Sequence, residues 1–105
     1  MELDLPIPDF MKLQAEGASF TLVDCREPWE WDICRLPDAR HIPLAMLARR
    51  AEELPRDRTV IVYCHHGIRS RRGAMILRGV GLEATSLVGG IDAWAEQVDP
   101  QMKRY

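Results

Sequence analysis

The run Thr59-Val60-Ile61-Val62-Tyr63 constrains this chain most. Successive side chains of a strand point to opposite faces, so a strand wet on one side alternates apolar and polar residues. This run does not alternate, and both of its faces must be buried. Burial on two sides is the condition of a central strand in a parallel sheet, which needs helices above and below it and crossover connections before and after. The flanking sequence supplies them. Ahead of the run, Leu44, Leu47, Ala48, Ala51 and Leu54 recur at helical spacing, Arg49, Arg50, Glu52 and Glu53 take the other side, and Pro55 ends the helix. Behind it, Gly73, Ile76, Leu77 and Val80 share one face of a helix predicted over 70–80, with Arg71 and Arg78 opposite and Gly81 at the C-cap. Met75 fits neither face.

Further helices are predicted over 8–16, where Pro8 opens and Gly17 closes the segment, over 27–33, and around 91–97. Strands are predicted at 20–24, 40–42 and 84–87. Apolar runs and amphipathic runs alternate throughout, with no linker, repeat or low-complexity stretch, so residues 1–105 are expected to form one α/β domain. A net charge of -2 argues against nucleic-acid or membrane-surface partners. No apolar run approaches the ~20 residues that span a bilayer. The three cysteines are an odd number at wide spacings and nothing has the shape of a secretory leader, so a reducing cytoplasm is the expected location.

Chemistry is expected where the central strand ends, at Cys64-His65-His66-Gly67-Ile68-Arg69-Ser70. A thiol between a strand tip and a helix start meets the unpaired N–H groups and partial positive charge of the first turn. Such cysteines ionise at ~3.5–7.5 against ~8.5 when free, and the thiolate is the nucleophile. Gly67 lets the loop turn its N–H groups inward, and Arg69, with Arg71, Arg72 and Arg78 nearby, offers a guanidinium to close a small anion-binding loop. His65 and His66 are expected to shape the mouth of the pocket. Adjacent residues seldom direct both side chains at one ion, and no spaced Cys/His pair completes a ligand set, so no metal and no cofactor is expected. In open parallel sheets ligands bind beyond the carboxyl ends of the strands, which places Asp24, Cys25 and Arg26 on the same edge as Cys64. Asp24 and Arg26 are read as an ion pair behind the loop, with substrate contact as the alternative. Cys34, like Cys25, is most simply a packing residue. Trp29, Trp31 and Trp94 are expected in the core or at helix contacts.

Taken together, Asp24-Cys25-Arg26-Glu27, Glu30-Trp31, His41-Ile42-Pro43-Leu44, the Cys64-x-x-Gly67-x-Arg69-Ser70 loop and Gly89-Gly90-Ile91-x-Ala93-Trp94 resemble the rhodanese family over almost the whole chain. The resemblance implies a three-layer α/β/α fold around a mostly parallel sheet of about five strands. It also implies a sulfurtransferase in which Cys64 carries a persulfide and residues 65–70 bind substrate, taking sulfur from a small anionic donor such as thiosulfate and passing it to cyanide, a thiol or a sulfur-carrier protein. One segment departs: where the family has Gly-His-Ile-Pro-Gly-Ala, this chain reads Cys34-Arg35-Leu36-Pro37-Asp38-Ala39.

The chain is also similar to the dual-specificity cell-cycle phosphatases, in which the cysteine of Asp-Cys-Arg forms a reversible disulfide with the catalytic one; that likeness makes Cys25 a possible redox partner of Cys64. Loop length separates the two chemistries, since four residues stand between Cys64 and Arg69, as in rhodaneses, and the phosphatases have five. The tail from Ala93 to Tyr105 resembles rhodanese modules appended to enzymes that activate sulfur carriers. An alternative therefore stays open, a relay loaded by a cysteine desulfurase with little activity on thiosulfate. A cysteine phosphatase or arsenate reductase is the third reading.

Overall fold

A computed structural model describes residues 1–105. Its centre is a five-stranded, wholly parallel sheet in the order β1-β5-β4-β2-β3, built from β1 (Asp4–Leu5), β2 (Phe20–Asp24), β3 (Arg40–His41), β4 (Thr59–Tyr63) and β5 (Ala84–Leu87). The run without alternation is the middle strand. Val60 and Val62, with Cys64 just beyond the strand, point into one core, while Ile61 and Tyr63 point into the other, and Val60, Ile61, Val62 and Tyr63 are all fully buried.

The first core lies under α3 (Leu47–Arg50) and α4 (Ile68–Gly79), which contribute Leu47, Ala74 and Leu77. The second lies under α1 (Ile7–Ala15) and α5 (Gly90–Gln97), which contribute Ile7, Phe10, Ile91 and Trp94. Helices on both faces of a parallel sheet make the expected α/β/α layering. A short helix, α2 (Pro28–Ile33), follows β2; its N-cap is Glu27, whose side chain and that of Glu30 cap each other's backbone.

Three local features differ from expectation. β1 has no apolar pattern, and exists because the β5 edge needs acceptors: Ser86 N–H donates to Leu3 O at 2.7 Å and Val88 N–H to Leu5 O at 2.9 Å. The helix expected to end at Pro55 is broken into a 3₁₀ turn Leu44–Met46, the single α-turn of α3 and a second 3₁₀ turn Ala51–Glu53. Confined between Pro43 and Pro55, so short a segment gains little from its own helical bonds, and packing of Leu47, Ala51 and Leu54 sets its path. Helix α4 starts at Ile68, two residues before the expected start, because Gly67 at φ 105° makes the turn into it. Met75 is 63% exposed, which disposes of its misfit.

Asp38 stands at φ 63°, at the position where the rhodanese pattern has glycine. Aspartate is among the few residues that tolerate this conformation, so the departure keeps the turn. Gly90 is less replaceable. At φ 60° it lets α5 begin directly against the Cys64 loop, where an added Cβ would overlap the carbonyl groups of Cys64 and His65. Gly90→Ala is expected to lower stability by at least about 2 kcal/mol, about 10 °C in melting temperature for a domain of this size, as read by thermal unfolding.

Candidate active site

The loop after β4 is held from outside and polarised inside. The first amides of α5 take its carbonyls, Ile91 N–H donating to Cys64 O at 2.9 Å and Asp92 N–H to His65 O at 3.1 Å. The Cys64 Sγ accepts from Gly67 N–H at 3.1 Å and Ser70 N–H at 3.3 Å, the latter an unpaired donor of the first turn of α4, and the Ser70 hydroxyl lies 3.4 Å away. Cys64 is 1% exposed.

Cys25 is its lateral neighbour. Asp24 pairs with Tyr63 across β2 and β4, Cys25 N–H donates to Tyr63 O at 3.1 Å, and both thiols belong to the core under α3 and α4. Adjacent strands run ~4.8 Å apart, within the ~4.4–6.8 Å that a disulfide bridges between Cα atoms, and both cysteines are free thiols. The pair splits its titration. A hydrogen bond from Cys25 is the first cause that brings Cys64 down to about 5; burial opposes it, and the Ser70 hydroxyl with the Ser70 and Gly67 amides adds to it. That same bond, and then burial, push Cys25 up. The directions favour the thiolate at Cys64 over that at Cys25. A cleft of about 390 Å³ opens at Cys25, lined also by Glu27, Leu44, Arg69, Arg72 and Ile76.

Arg69 is not arranged as the sequence suggested. Its Nη groups donate to the two carboxylate oxygens of Glu30 at 2.6 and 2.9 Å, so the fork expected to close the loop is engaged by an acid. The reason is burial: Glu30 is 2% exposed and its charge requires partners. Burial works against its anion, yet the hydrogen bonds from Arg69, Tyr105 and the Glu27 amide hold its pKa at about 2. Asp24 and Arg26, both fully buried, form the ion pair foreseen for them, with Arg26 Nη2 at 2.6 Å and Nε at 3.0 Å from the carboxylate. The two pairs are joined by a phenol. Arg26 donates to the Tyr105 hydroxyl at 2.8 Å, and that hydroxyl donates to Glu30 at 2.7 Å.

Tyr105 also stacks on His65, with ring centroids 4.0 Å apart, and His65 lies 3.9 Å from the ring of His66, whose Nδ1 is 3.8 Å from Asp92. Burial, then the neighbouring His66, lower the pKa of His65. Tyr105, His65 and His66 thus form a row of rings. Ile68, at the loop's tip, is 77% exposed. Of the tryptophans only Trp94 is in the core; Trp31 stacks on His41, and Trp29 is 60% exposed, edge-on to Tyr105, because α2 lies at the rim of the sheet and has one inward face.

The Rhodanese-like domain family matches residues 8–97. The chain belongs to the rhodanese family. A protein named Sulfurtransferase from Allochromatium vinosum is 38% identical over 82 residues, which cover 77% of this chain and 77% of that one. The probable adenylyltransferase/sulfurtransferase MoeZ of Mycobacterium tuberculosis is 38% identical over 92 residues, 85% of this chain; the rhodanese spans only 24% of MoeZ. Among solved structures, a rhodanese-related protein from Thermoplasma volcanium superposes with a TM-score of 0.83 at 28% identity, covering 92% of this chain and 94% of that one. Sulfur transfer, as an enzyme or as a relay, is the general activity that this membership supports.

Three contributors escaped the sequence reading. Glu30 entered that reading only within the Glu30-Trp31 motif, with no role assigned; in the structure it caps α2 and pairs with Arg69. Tyr105 and Ser86, the latter 2.6 Å from the Ser70 hydroxyl, carried no local signal. The Glu30 network has a pH signature. Because the folded pKa is depressed from 4.5 to about 2, its stabilisation is complete above pH 4.5 and is lost as the pH falls towards 2. Glu30→Gln is expected to destabilise at neutral pH and to flatten that acid limb in a series of urea melts.

Proposed function

We propose that this rhodanese is a sulfurtransferase that uses thiosulfate or a similar anionic sulfur donor and works by double displacement through Cys64. The Cys64 thiolate attacks the outer sulfur of thiosulfate, the S–S bond breaks, and sulfite leaves with the electron pair. The Cys64 persulfide anion remains. A nucleophile such as cyanide or a thiolate then attacks the outer sulfur, and Cys64 departs as the thiolate. Residues 65–70 bind the anion through their amides, as an oxyanion hole holds developing charge. No general base is required, since the attacking group is already ionised.

The observation that carries this proposal is the Cys64 sulfur, nearly out of solvent, accepting two loop amides and sitting at a pKa of about 5. Arg69 adds weight against phosphatase chemistry. A phosphoryl group wants a free guanidinium fork, and here the fork is spent on Glu30. A relay role, in which a cysteine desulfurase loads Cys64 and a sulfur-carrier protein unloads it, draws support from MoeZ, where a homologous segment accompanies an adenylyltransferase. Protein incubated with thiosulfate and freed of small molecules should gain the mass of one sulfur atom, and Cys64→Ser should abolish both the gain and thiocyanate formation from cyanide. A serine variant that still turned over would overturn the assignment; fast loading by a desulfurase with feeble use of thiosulfate would select the relay.

Cys25 is proposed as a guard of the same sulfur. Peroxide takes Cys64 to the sulfenic acid with release of water or hydroxide, and the Cys25 thiol displaces the sulfenic oxygen as water, leaving a Cys25–Cys64 disulfide. Mild peroxide should produce the linked peptide before any sulfinic form, as read by mass spectrometry; over-oxidation without the link would refute the guard.

A further inference from the structure

Strand parity places a second hydroxyl behind the catalytic loop. On β5, Ala84 points into the core under α3 and α4 and Leu87 into the opposite one, so Ser86, two residues after Ala84, shares the face of Cys64. There it meets α4. Ser86 is 1% exposed and Ser70 fully buried, their hydroxyl oxygens are 2.6 Å apart, and the Ser70 oxygen lies 3.4 Å from the Cys64 sulfur.

Each hydroxyl has one hydrogen, and this makes the chain directional. When Cys64 is a thiol, it donates to Ser70, which donates onward to Ser86. When Cys64 is a thiolate it has no hydrogen to give, so Ser70 must turn its own towards the sulfur and take one from Ser86. Only the second arrangement aims every donor at the charge. We propose that Ser86 is a positioning residue for sulfur transfer: by donating to Ser70 it commits the Ser70 hydrogen to Cys64 and stabilises the thiolate and the persulfide anion that replaces it.

No charge from β5 competes with this effect, since Ala84, Thr85, Ser86 and Leu87 carry none. The titratable and charged groups facing the sulfur come from elsewhere: Cys25 beyond β2, and Arg69 on α4, itself paired with Glu30 of α2. The inference rests on Cys64 being the reactive thiolate, and its test can be read without any sulfur donor.

The measurement is the rate of Cys64 alkylation by iodoacetamide against pH, with Cys64→Ser as the blank. Ser86→Ala should raise the midpoint by about one unit, cutting the reactive fraction about tenfold at pH values below both midpoints. Ser86→Thr and Ser86→Val differ in the hydroxyl and hardly in shape, so any packing disturbance cancels between them. Threonine should titrate within a few tenths of a unit of wild type, and valine like alanine. In a Ser70→Ala background, Ser86→Ala should add nothing, because its route to the sulfur is gone. Equal midpoints for the threonine and valine variants, or additive shifts in the double variant, would overturn the proposal. Wild-type alkylation midway near 5 with no sulfur loading by thiosulfate or by a desulfurase would overturn the function proposed above and leave the role of Ser86 standing.

Discussion

Two amides at the start of α5 hold the whole site in place. They take the carbonyls of Cys64 and His65 and so fix the first residues of the loop. The bonds exist only because Gly90 has no side chain to keep α5 away from the loop. The buried sulfur owes its donors to Gly67, whose positive φ turns the chain into α4, and to Ser70 in the first turn of that helix.

A second constraint is electrical neutrality under the loop. Asp24, Arg26, Glu30 and Arg69 are two acids and two bases, three of them almost wholly buried, and Tyr105 couples the two pairs by accepting from Arg26 and donating to Glu30. Isolated, any of these buried charges would cost several kcal/mol; as a closed set they leave no side-chain polar atom without a partner. Such a network stabilises less than an apolar core of the same volume can, but it specifies geometry. Here it fixes α2, Tyr105 and the root of the Cys64 loop relative to one another.

Much of this was legible in the residues, and the limit has a physical basis. The lack of alternation in β4 dictated two-sided burial, and two-sided burial dictated helices on both faces and a ligand edge at Cys64; each step is local in sequence. The register that sets Cys25 beside Cys64 came from two strands both readable as strands. What could not be read is choice of partner. Arg69 carries the same charge whether it faces an incoming anion or Glu30, and only the burial of Glu30, produced by the docking of Tyr105 and the path of α2, decides between them. The alternation that turns Ser86 towards α4 is implicit in β5, but the residue of α4 that it meets depends on how closely that helix approaches the sheet, which Gly73 permits by presenting no Cβ to Leu47 and Val62. β1 is invisible for the same reason: two residues carry no period, and their strand is induced by the edge they join.

The engaged arginine bears directly on reactivity. A thiol at about 5 is already almost wholly ionised at neutral pH, so a further drop would add no thiolate. It would, however, weaken the nucleophile, because thiolate reactivity falls with basicity at ~0.4–0.5 of a log unit per pKa unit. A free guanidinium beside the sulfur would produce that loss. With Arg69 engaged by Glu30, the sulfur is left to the Gly67 and Ser70 amides, the Ser70 hydroxyl and the Cys25 thiol.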